Sequence, residues 1–274
     1  MRIIYLSNHP GEKLQAIRQR RHAAEDQELA RYREAVAQHQ ARVAEARRER
    51  AEARVQRRWW AWLRLGLSVL FMGADAPRRP GQSMGRSDQE EILAAGVAGE
   101  LYVEDQLAPA FGDDWVLFRG YKNRRGEIDS VLLGPGGLFA MEVKNRNATV
   151  HVDGDTWRCD KYDRYGNLVE QGLRFVDRGG RSPSREVNEP ADELERFLQS
   201  RRQPVAIRRA VILVHQRSVL GTTRNLTVDV ATSMDWVIGV VRESRLALEA
   251  ERLAELERLI VQDHRYHHER QTTR

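Results

Sequence analysis

Cysteine is almost absent from this sequence of 274 residues, in which Cys159 stands alone. A single cysteine excludes a disulfide framework and any zinc module built from several cysteines, and it fits a reducing compartment. Long apolar runs are lacking as well, because the run at residues 59–72 is shorter than the roughly 20 residues of a membrane-spanning helix. We therefore expect a cytoplasmic protein and keep open a peripheral association with a membrane.

Positive charge is in excess over only one part of the chain, although the formal net charge is +5. Residues 1–58 contain 14 Lys and Arg against 8 Asp and Glu, a net charge of +6. The remaining 216 residues contain 31 against 32, a net charge of −1. The location of the charge matters more than its sum. The net positive charge of the chain therefore does not by itself identify a nucleic-acid surface on the C-terminal portion.

Proline and glycine are missing between Glu12 and Arg58, where Ala, Arg, Glu and Gln dominate. These residues favour helix, so residues 1–58 are predicted to be a basic helical extension. Leu29, Val36 and Val43 fall seven residues apart, a spacing typical of a coiled-coil seam. Self-association through residues 12–58 is one interpretation, and a long solvated helix is the other.

The apolar run at residues 59–72 contains three tryptophans and follows a pair of arginines. Tryptophan beside basic residues is typical of a membrane interface, so contact with a membrane surface is one interpretation of this segment. Packing against the following domain or a partner helix is the alternative. Residues 73–87 carry the Gly, Pro and Ser of a linker, which places the next domain at residues 88–274.

The C-terminal domain reads as an α/β domain with a mixed sheet. A helix, a meander of three strands, a second helix and a further strand are predicted in that order. They fall at residues 88–107, at 115–119, 128–133 and 138–144, at 183–200, and at 210–215. Further hairpins are predicted within 149–171, a strand at 226–230, and helices at 233–243 and 245–263.

A glycine-rich link joins the second and third strands of the meander and sets their register. If Leu133 pairs with Leu138, Asp129 faces Glu142 directly, with their Cβ atoms about 5 Å apart. Lys144 then projects on the same face as Glu142, because side chains alternate along a strand. Two opposed carboxylates repel unless a divalent cation lies between them, and oxygen ligands suit Mg²⁺ or Mn²⁺. A lysine beside such a cation can orient or deprotonate a water.

The sequence resembles the nuclease-related domain family of the PD-(D/E)XK nuclease superfamily. The likeness spans about residues 90–215 and rests on Gly99-Glu100, on GEIDSVLLG at 126–134 and on GLFAMEVKN at 137–145. The resemblance implies a restriction-endonuclease-like core, preceded here by the long helix or coiled coil. It also implies metal-dependent hydrolysis of phosphodiester bonds, with DNA as the expected nucleic-acid partner.

The same resemblance assigns roles to four residues. Asp129 and Glu142 would bind Mg²⁺ or Mn²⁺, Lys144 would activate water, and Glu100 would be the helical acid and a third metal ligand. Ile128 stands where the superfamily signature has proline, and Glu186 stands about where many members carry glutamine. The alternative is a nuclease-like module with weak catalysis that binds DNA or protein and assembles through its N-terminal helix.

Three basic residues, Lys122, Arg124 and Arg125, precede the acidic pair in the sequence. They are candidates for contact with a phosphate backbone, and a solvated turn is the alternative. His264 and its neighbours near the C-terminus are interpreted as part of a frayed, solvated end.

Overall fold

The computed structural model describes residues 1–7, 9–74, 76–79, 81, 87–163 and 165–272. They divide into two compact units, one of residues 1–13 with 91–274 and the other of residues 14–90. Part of the predicted linker at 73–87 lies outside the described residues. The helices are α1 (His9–Val55), α2 (Trp59–Ala74), α3 (Asp88–Leu107), α4 (Pro183–Ser200), α5 (Met234–Arg242) and α6 (Ala250–Thr272). The strands are β1 (Arg2–Tyr5), β2 (Val116–Asn123), β3 (Gly126–Gly134), β4 (Gly137–Lys144), β5 (Ala148–Asp153), β6 (Thr156–Tyr162), β7 (Leu168–Arg174), β8 (Ile207–Leu213), β9 (Val219–Arg224) and β10 (Asp229–Ala231).

A six-stranded mixed sheet forms the centre of the first unit, in the order β1-β2-β3-β4-β8-β10. The meander β2-β3-β4 is antiparallel, whereas β1, β8 and β10 each join their neighbour in parallel. The predicted order of helix, three-stranded meander, helix and strand is confirmed. The α/β fold class with a long N-terminal helix is therefore confirmed as well.

Each face of this sheet packs against its own helices, because successive side chains of a strand point to opposite faces. In β4, Leu138 and Ala140 belong to one buried cluster, which also includes residues of α4 and α6. Phe139 and Met141 belong to the other cluster, with residues of α3 and α5. The central hairpin is thus covered on both sides, and the end of β4 lies between helices.

The hairpins predicted within residues 149–171 are present as β5, β6 and β7. They form a second sheet in the order β7-β6-β5-β9, in which β9 pairs in parallel with β5. Strand β9 is not predicted from the sequence. Val150, Val152 and Trp157 turn inward from this second sheet and belong to the same buried cluster as α4. The second sheet therefore helps to hold α4 in place.

The N-terminus differs from the prediction that residues 1–58 form only a helical extension. β1 pairs in parallel with β2, placing Ile3 opposite Leu117 and Ile4 opposite Phe118. The Met1 amino group donates a hydrogen bond to the carbonyl of Phe111 at 3.0 Å. A strand of four residues is too short for its pattern to stand out in the sequence, so this pairing follows from the exposed edge of β2.

The C-terminal end also differs from its prediction, because α6 continues to Thr272 and His264 is buried. The Nδ1 atom of His264 accepts a hydrogen bond from the backbone N–H of Lys122 at 3.1 Å. Burial lowers the pKa of His264 to about 4. Its apolar neighbours Leu256, Leu259 and Ile260 join the core, and this packing keeps the helix from fraying there.

The second unit contains α2 and most of α1. The long helix α1 is predicted from the sequence, whereas the helical state of the apolar segment in α2 is not. Arg57, with φ of 53°, lies in the short turn between the two helices. The guanidinium of Arg50 in α1 lies 4.5 Å from the ring centroid of Trp62 in α2, a cation–π contact. Among the described residues, no helix is both long and apolar enough to cross a membrane.

Substitution by alanine should have opposite effects on stability at two glycines of α3. A Cβ atom at Gly99 would lie 2.9 Å from the Cβ of Asn145 and 3.1 Å from Val214, whereas one at Gly96 would meet nothing within 4 Å. We expect Gly99→Ala to lower the free energy of unfolding by about 1–3 kcal/mol through overpacking. Gly96→Ala should instead raise it by about 1 kcal/mol, because alanine favours helix.

Urea denaturation of the two variants measures this difference, with Gly96→Ala as the matched control in the same helix. Equal effects of the two substitutions would contradict the close approach of α3 to Asn145 after β4 and to Val214 after β8. The approach matters for the site because Glu100 comes directly after Gly99.

Candidate active site

The register of the central hairpin brings the two predicted acids together. Leu133 lies opposite Leu138 and Ser130 opposite Met141, which is the register predicted from the sequence. The backbone ladder ends there, and the Oδ2 atom of Asp129 accepts a hydrogen bond from the backbone N–H of Val143 at 2.8 Å. The carboxylate of Asp129 is therefore fixed where the two strands separate, next to Glu142.

Lys144, the last residue of β4, is held between two carboxylates. Its Nζ atom lies 2.6 Å from Oε1 of Glu142 and 2.8 Å from Oε2 of Glu186. Glu186 lies in the first turn of α4, which begins with Pro183 in a position suited to its fixed φ. Lys144 thus links the central hairpin to α4 through ion pairs.

Glu100 reaches the same region from α3 through an arginine of β2. The Nη2 atom of Arg119 donates to Oε2 of Glu100 at 2.6 Å, and its Nη1 atom donates to Oε2 of Glu104 at 2.6 Å. Burial and the negative charge of Asp129 raise the pKa of Glu100 to about 7. The protonation of Glu100 therefore depends on the charge of Asp129.

Asp129, Glu142 and Glu186 also have perturbed pKa values. Burial raises the pKa of Asp129, and burial followed by the charge of Asp129 raises that of Glu142 well above its usual range. Burial raises the pKa of Glu186 too, with Lys144 opposing the change. Burial alone would lower the pKa of Lys144, but Glu142, Glu186 and Asp129 outweigh it and raise that pKa. Lys144 therefore stays protonated at neutral pH.

The cluster contains five carboxylates but only two basic side chains. The acids belong to Glu100, Glu104, Asp129, Glu142 and Glu186, and the bases to Arg119 and Lys144. Such a surplus of buried acid is stable only if protons or a cation neutralise it. The oxygen donors and the excess negative charge fit a divalent cation such as Mg²⁺ or Mn²⁺.

A cation at this cluster would have few protein ligands. Among the described residues, no group of three or more His, Cys, Asp and Glu side chains is arranged to hold a metal ion. Mg²⁺ commonly binds one or two carboxylates and keeps several waters. Asp129 and Glu142 would therefore supply enough protein ligands of the right chemical type. Glu100, the third predicted ligand, is bound to Arg119 instead.

An open cavity of about 740 Å³ is lined by residues next to the cluster in the chain, and not by the carboxylates of the cluster themselves. Gly99 and Asn145, the neighbours of Glu100 and Lys144 in the chain, line it together with Tyr102, His215 and Arg217. The cavity is therefore lined by polar, basic and aromatic groups, a combination that suits nucleotides.

The three basic residues predicted to contact phosphate lie apart from this cavity, at the turn between β2 and β3. The Nε atom of Arg124 lies 2.6 Å from Oε1 of Glu193 on α4, so its charge is already paired. The carbonyl of Arg125 accepts a hydrogen bond from Arg181. Lys122 precedes the turn in β2, and its backbone N–H donates to His264. Gly126 at this turn is three residues from Asp129, about 10 Å along the strand.

Two residues of the cluster are missed by the sequence analysis, and the sequence contains a signal for each. Arg119 interrupts the apolar strand β2, where a buried charge is costly unless it is paired. Glu104 lies four residues after Glu100, so the two acids share one face of α3. An arginine in one element and two acids at helical spacing in another would have indicated the ion pairs.

The mixed sheet is covered by helices on both faces, and two acids and a lysine lie at the open end of its central hairpin. This arrangement is that of a nuclease-like α/β domain. Residues 95–214 match the model of a family described as nuclease-related domain. The predicted family and the predicted extent of about residues 90–215 are confirmed. No curated protein and no solved structure gives a significant match.

Proposed function

We propose that the protein hydrolyses phosphodiester bonds, with DNA as its substrate and Mg²⁺ or Mn²⁺ as its cofactor. The observation that carries the proposal is the surplus of buried carboxylates around Asp129 and Glu142, beside a protonated lysine and an open polar cavity. The match to the nuclease-related domain supports this general chemistry. The surplus of acid supports the requirement for a cation.

The residues take separate roles in this proposal. Asp129 and Glu142 would hold the cation, whose chemistry is to polarise the phosphoryl oxygen and to lower the pKa of a bound water. Lys144 remains protonated, so it would orient the attacking water and stabilise negative charge in the transition state instead of removing a proton. Glu100 would position Arg119 and add to the negative field that attracts the cation.

A second candidate function is a nuclease-like module that binds DNA or protein with little catalysis. The observation that favours it is Glu186, whose carboxylate pairs with Lys144 at 2.8 Å where many members of the family have a neutral glutamine. This second carboxylate reduces the positive field that Lys144 offers to a phosphate. Assembly through residues 12–58 belongs to this candidate and is measured by light scattering of the full chain.

Cleavage assays separate the two functions and identify the substrate. The full chain is incubated with supercoiled plasmid, linear duplex DNA and single-stranded RNA, each with Mg²⁺, Mn²⁺ or EDTA. Nicking of the plasmid that requires the cation supports the DNA nuclease. Cleavage of RNA alone would reject DNA as the substrate, and binding without cleavage would favour the second function.

Metal binding should depend on pH, because protons and the cation compete for the same carboxylates. The raised pKa values mean that these acids contribute to stability when protonated, and that contribution is lost as pH rises through them. Glu100 takes part through the negative field that attracts the cation, and its pKa of about 7 places the relevant window at pH 6 to 8. We expect saturating Mg²⁺ to raise the melting temperature by about 5 °C at pH 8 and by much less at pH 6.

Differential scanning fluorimetry of the wild type and of Asp129→Asn measures this dependence. The variant should show a small shift at both pH values, because it lacks one charged ligand. Equal shifts at pH 6 and pH 8, or equal shifts in wild type and variant, would contradict cation binding at this pair.

A further inference from the structure

The exposed side of α2 is an almost continuous apolar surface. Six large apolar side chains on this helix are between half and nine-tenths exposed. They are Trp59 at 60%, Trp60 at 87%, Leu63 at 50%, Leu67 at 59%, Leu70 at 74% and Phe71 at 70%. At about 100° per residue they fall within an arc of roughly 120° on one side of the helix. We call this set the apolar face of α2.

The opposite side of α2 is already occupied. Trp62 receives the guanidinium of Arg50 from α1, and a Cβ atom at Gly66 would lie 3.1 Å from the same guanidinium. Leu65, Val69 and the other residues of this side are only partly exposed. The helix therefore packs on α1 with one face and presents the apolar face to solvent.

The charged residues of α2 and of the turn before it all have the same sign. Between Glu52 and Asp75 the chain has no acidic residue but has four arginines. Arg57 and Arg58 come immediately before the helix, and both are exposed. Arg64 lies at the edge of the apolar face and is exposed as well. Its long side chain can reach a polar layer while its methylenes lie along apolar surface.

We propose that the apolar face of α2 docks into the surface of a membrane rich in anionic lipids. A helix with tryptophan and leucine on one side and arginines along its edge lies in the plane of the interface, with its apolar side chains below the headgroups. Anionic headgroups attract arginines near the surface. The arrangement binds to one leaflet and does not require the helix to cross the bilayer.

A second copy of the chain fits the same surface less well. In a two-fold pair of antiparallel α2 helices, Arg64 near the middle of the helix would approach the Arg64 of the other copy. In a parallel pair, Arg57 and Arg58 would meet their own copies too. Like charges at the edge of an apolar contact oppose association, whereas an anionic lipid surface neutralises them.

Co-flotation of the full chain with vesicles tests the proposal. Vesicles of phosphatidylcholine alone are compared with vesicles that contain phosphatidylglycerol. We expect binding to the anionic vesicles and a loss of about a hundredfold in Trp60→Ser/Leu67→Ser, since each side chain loses its apolar burial. The matched control is Leu168→Ser/Val169→Ser in β7, a pair that is 53% and 57% exposed and that should bind like wild type.

A second variant changes only charge, so that the test does not depend on whether Trp60→Ser/Leu67→Ser folds. Arg57→Glu/Arg58→Glu retains every apolar side chain and should weaken binding to anionic vesicles by about thirtyfold or more. Equal binding to neutral and anionic vesicles would overturn the assignment to an anionic surface. Unchanged binding of Trp60→Ser/Leu67→Ser, or no vesicle binding by wild type, would overturn the proposal. A lipid-free dimer that Trp60→Ser/Leu67→Ser dissociates would assign the face to a second copy instead.

Discussion

Asp129→Asn will reduce the rate of Mg²⁺-dependent plasmid cleavage by about a thousandfold. Asparagine has the shape of aspartate and can still accept the hydrogen bond from the backbone N–H of Val143, so the hairpin should stay intact. It lacks the negative charge that a divalent cation requires from its ligand. A loss of about 4 kcal/mol in transition-state stabilisation corresponds to this factor. Initial rates of nicking measure it.

Asp160→Asn is the matched control, because Asp160 lies in β6 of the second sheet and accepts a hydrogen bond from the backbone N–H of Gly172 at 2.8 Å. This variant should cleave like wild type. Cleavage by Asp129→Asn at a rate within tenfold of wild type would place the active carboxylates elsewhere. Equal rates of wild type in Mg²⁺ and in EDTA would contradict a metal requirement.

The central hairpin could be predicted from the sequence because its information is local. Alternating apolar residues identify two strands, and the link between Leu133 and Leu138 sets their register. Register then determines that Asp129 and Glu142 are neighbours. The helices α3 and α4 follow equally local rules of capping and apolar spacing, so their bounds agree with the predictions.

What the sequence could not provide depends on contacts between distant residues. β1 pairs with β2 across more than 100 residues, and four residues carry no periodic pattern of their own. β9 is mostly exposed and becomes a strand only because β5 offers it an edge. The ion pairs of Lys144 with Glu186 and of Arg119 with Glu100 likewise require the elements to be assembled first.

Lys144→Met will lower the free energy of unfolding by about 3–5 kcal/mol at pH 8. The substitution leaves the buried carboxylates of Glu142 and Glu186 without the ammonium group that lies within 3 Å of both. At pH 6 the loss should be smaller. Both acids have raised pKa values, and a raised pKa means that stability is retained at low pH and lost as pH rises. Urea denaturation at the two pH values measures the effect.

The double variant Lys144→Met/Glu186→Gln separates charge from packing. Because it removes one of the two unpaired carboxylates along with the lysine, it should recover a substantial part of the lost stability at pH 8. Lys161→Met is the control: Lys161 is exposed on β6, so its loss should change stability by no more than about 0.5 kcal/mol. If the double variant is as unstable as Lys144→Met at both pH values, the lysine stabilises the domain by packing alone. If stability recovers while cleavage stays absent, the charge of Lys144 serves both the fold and the reaction.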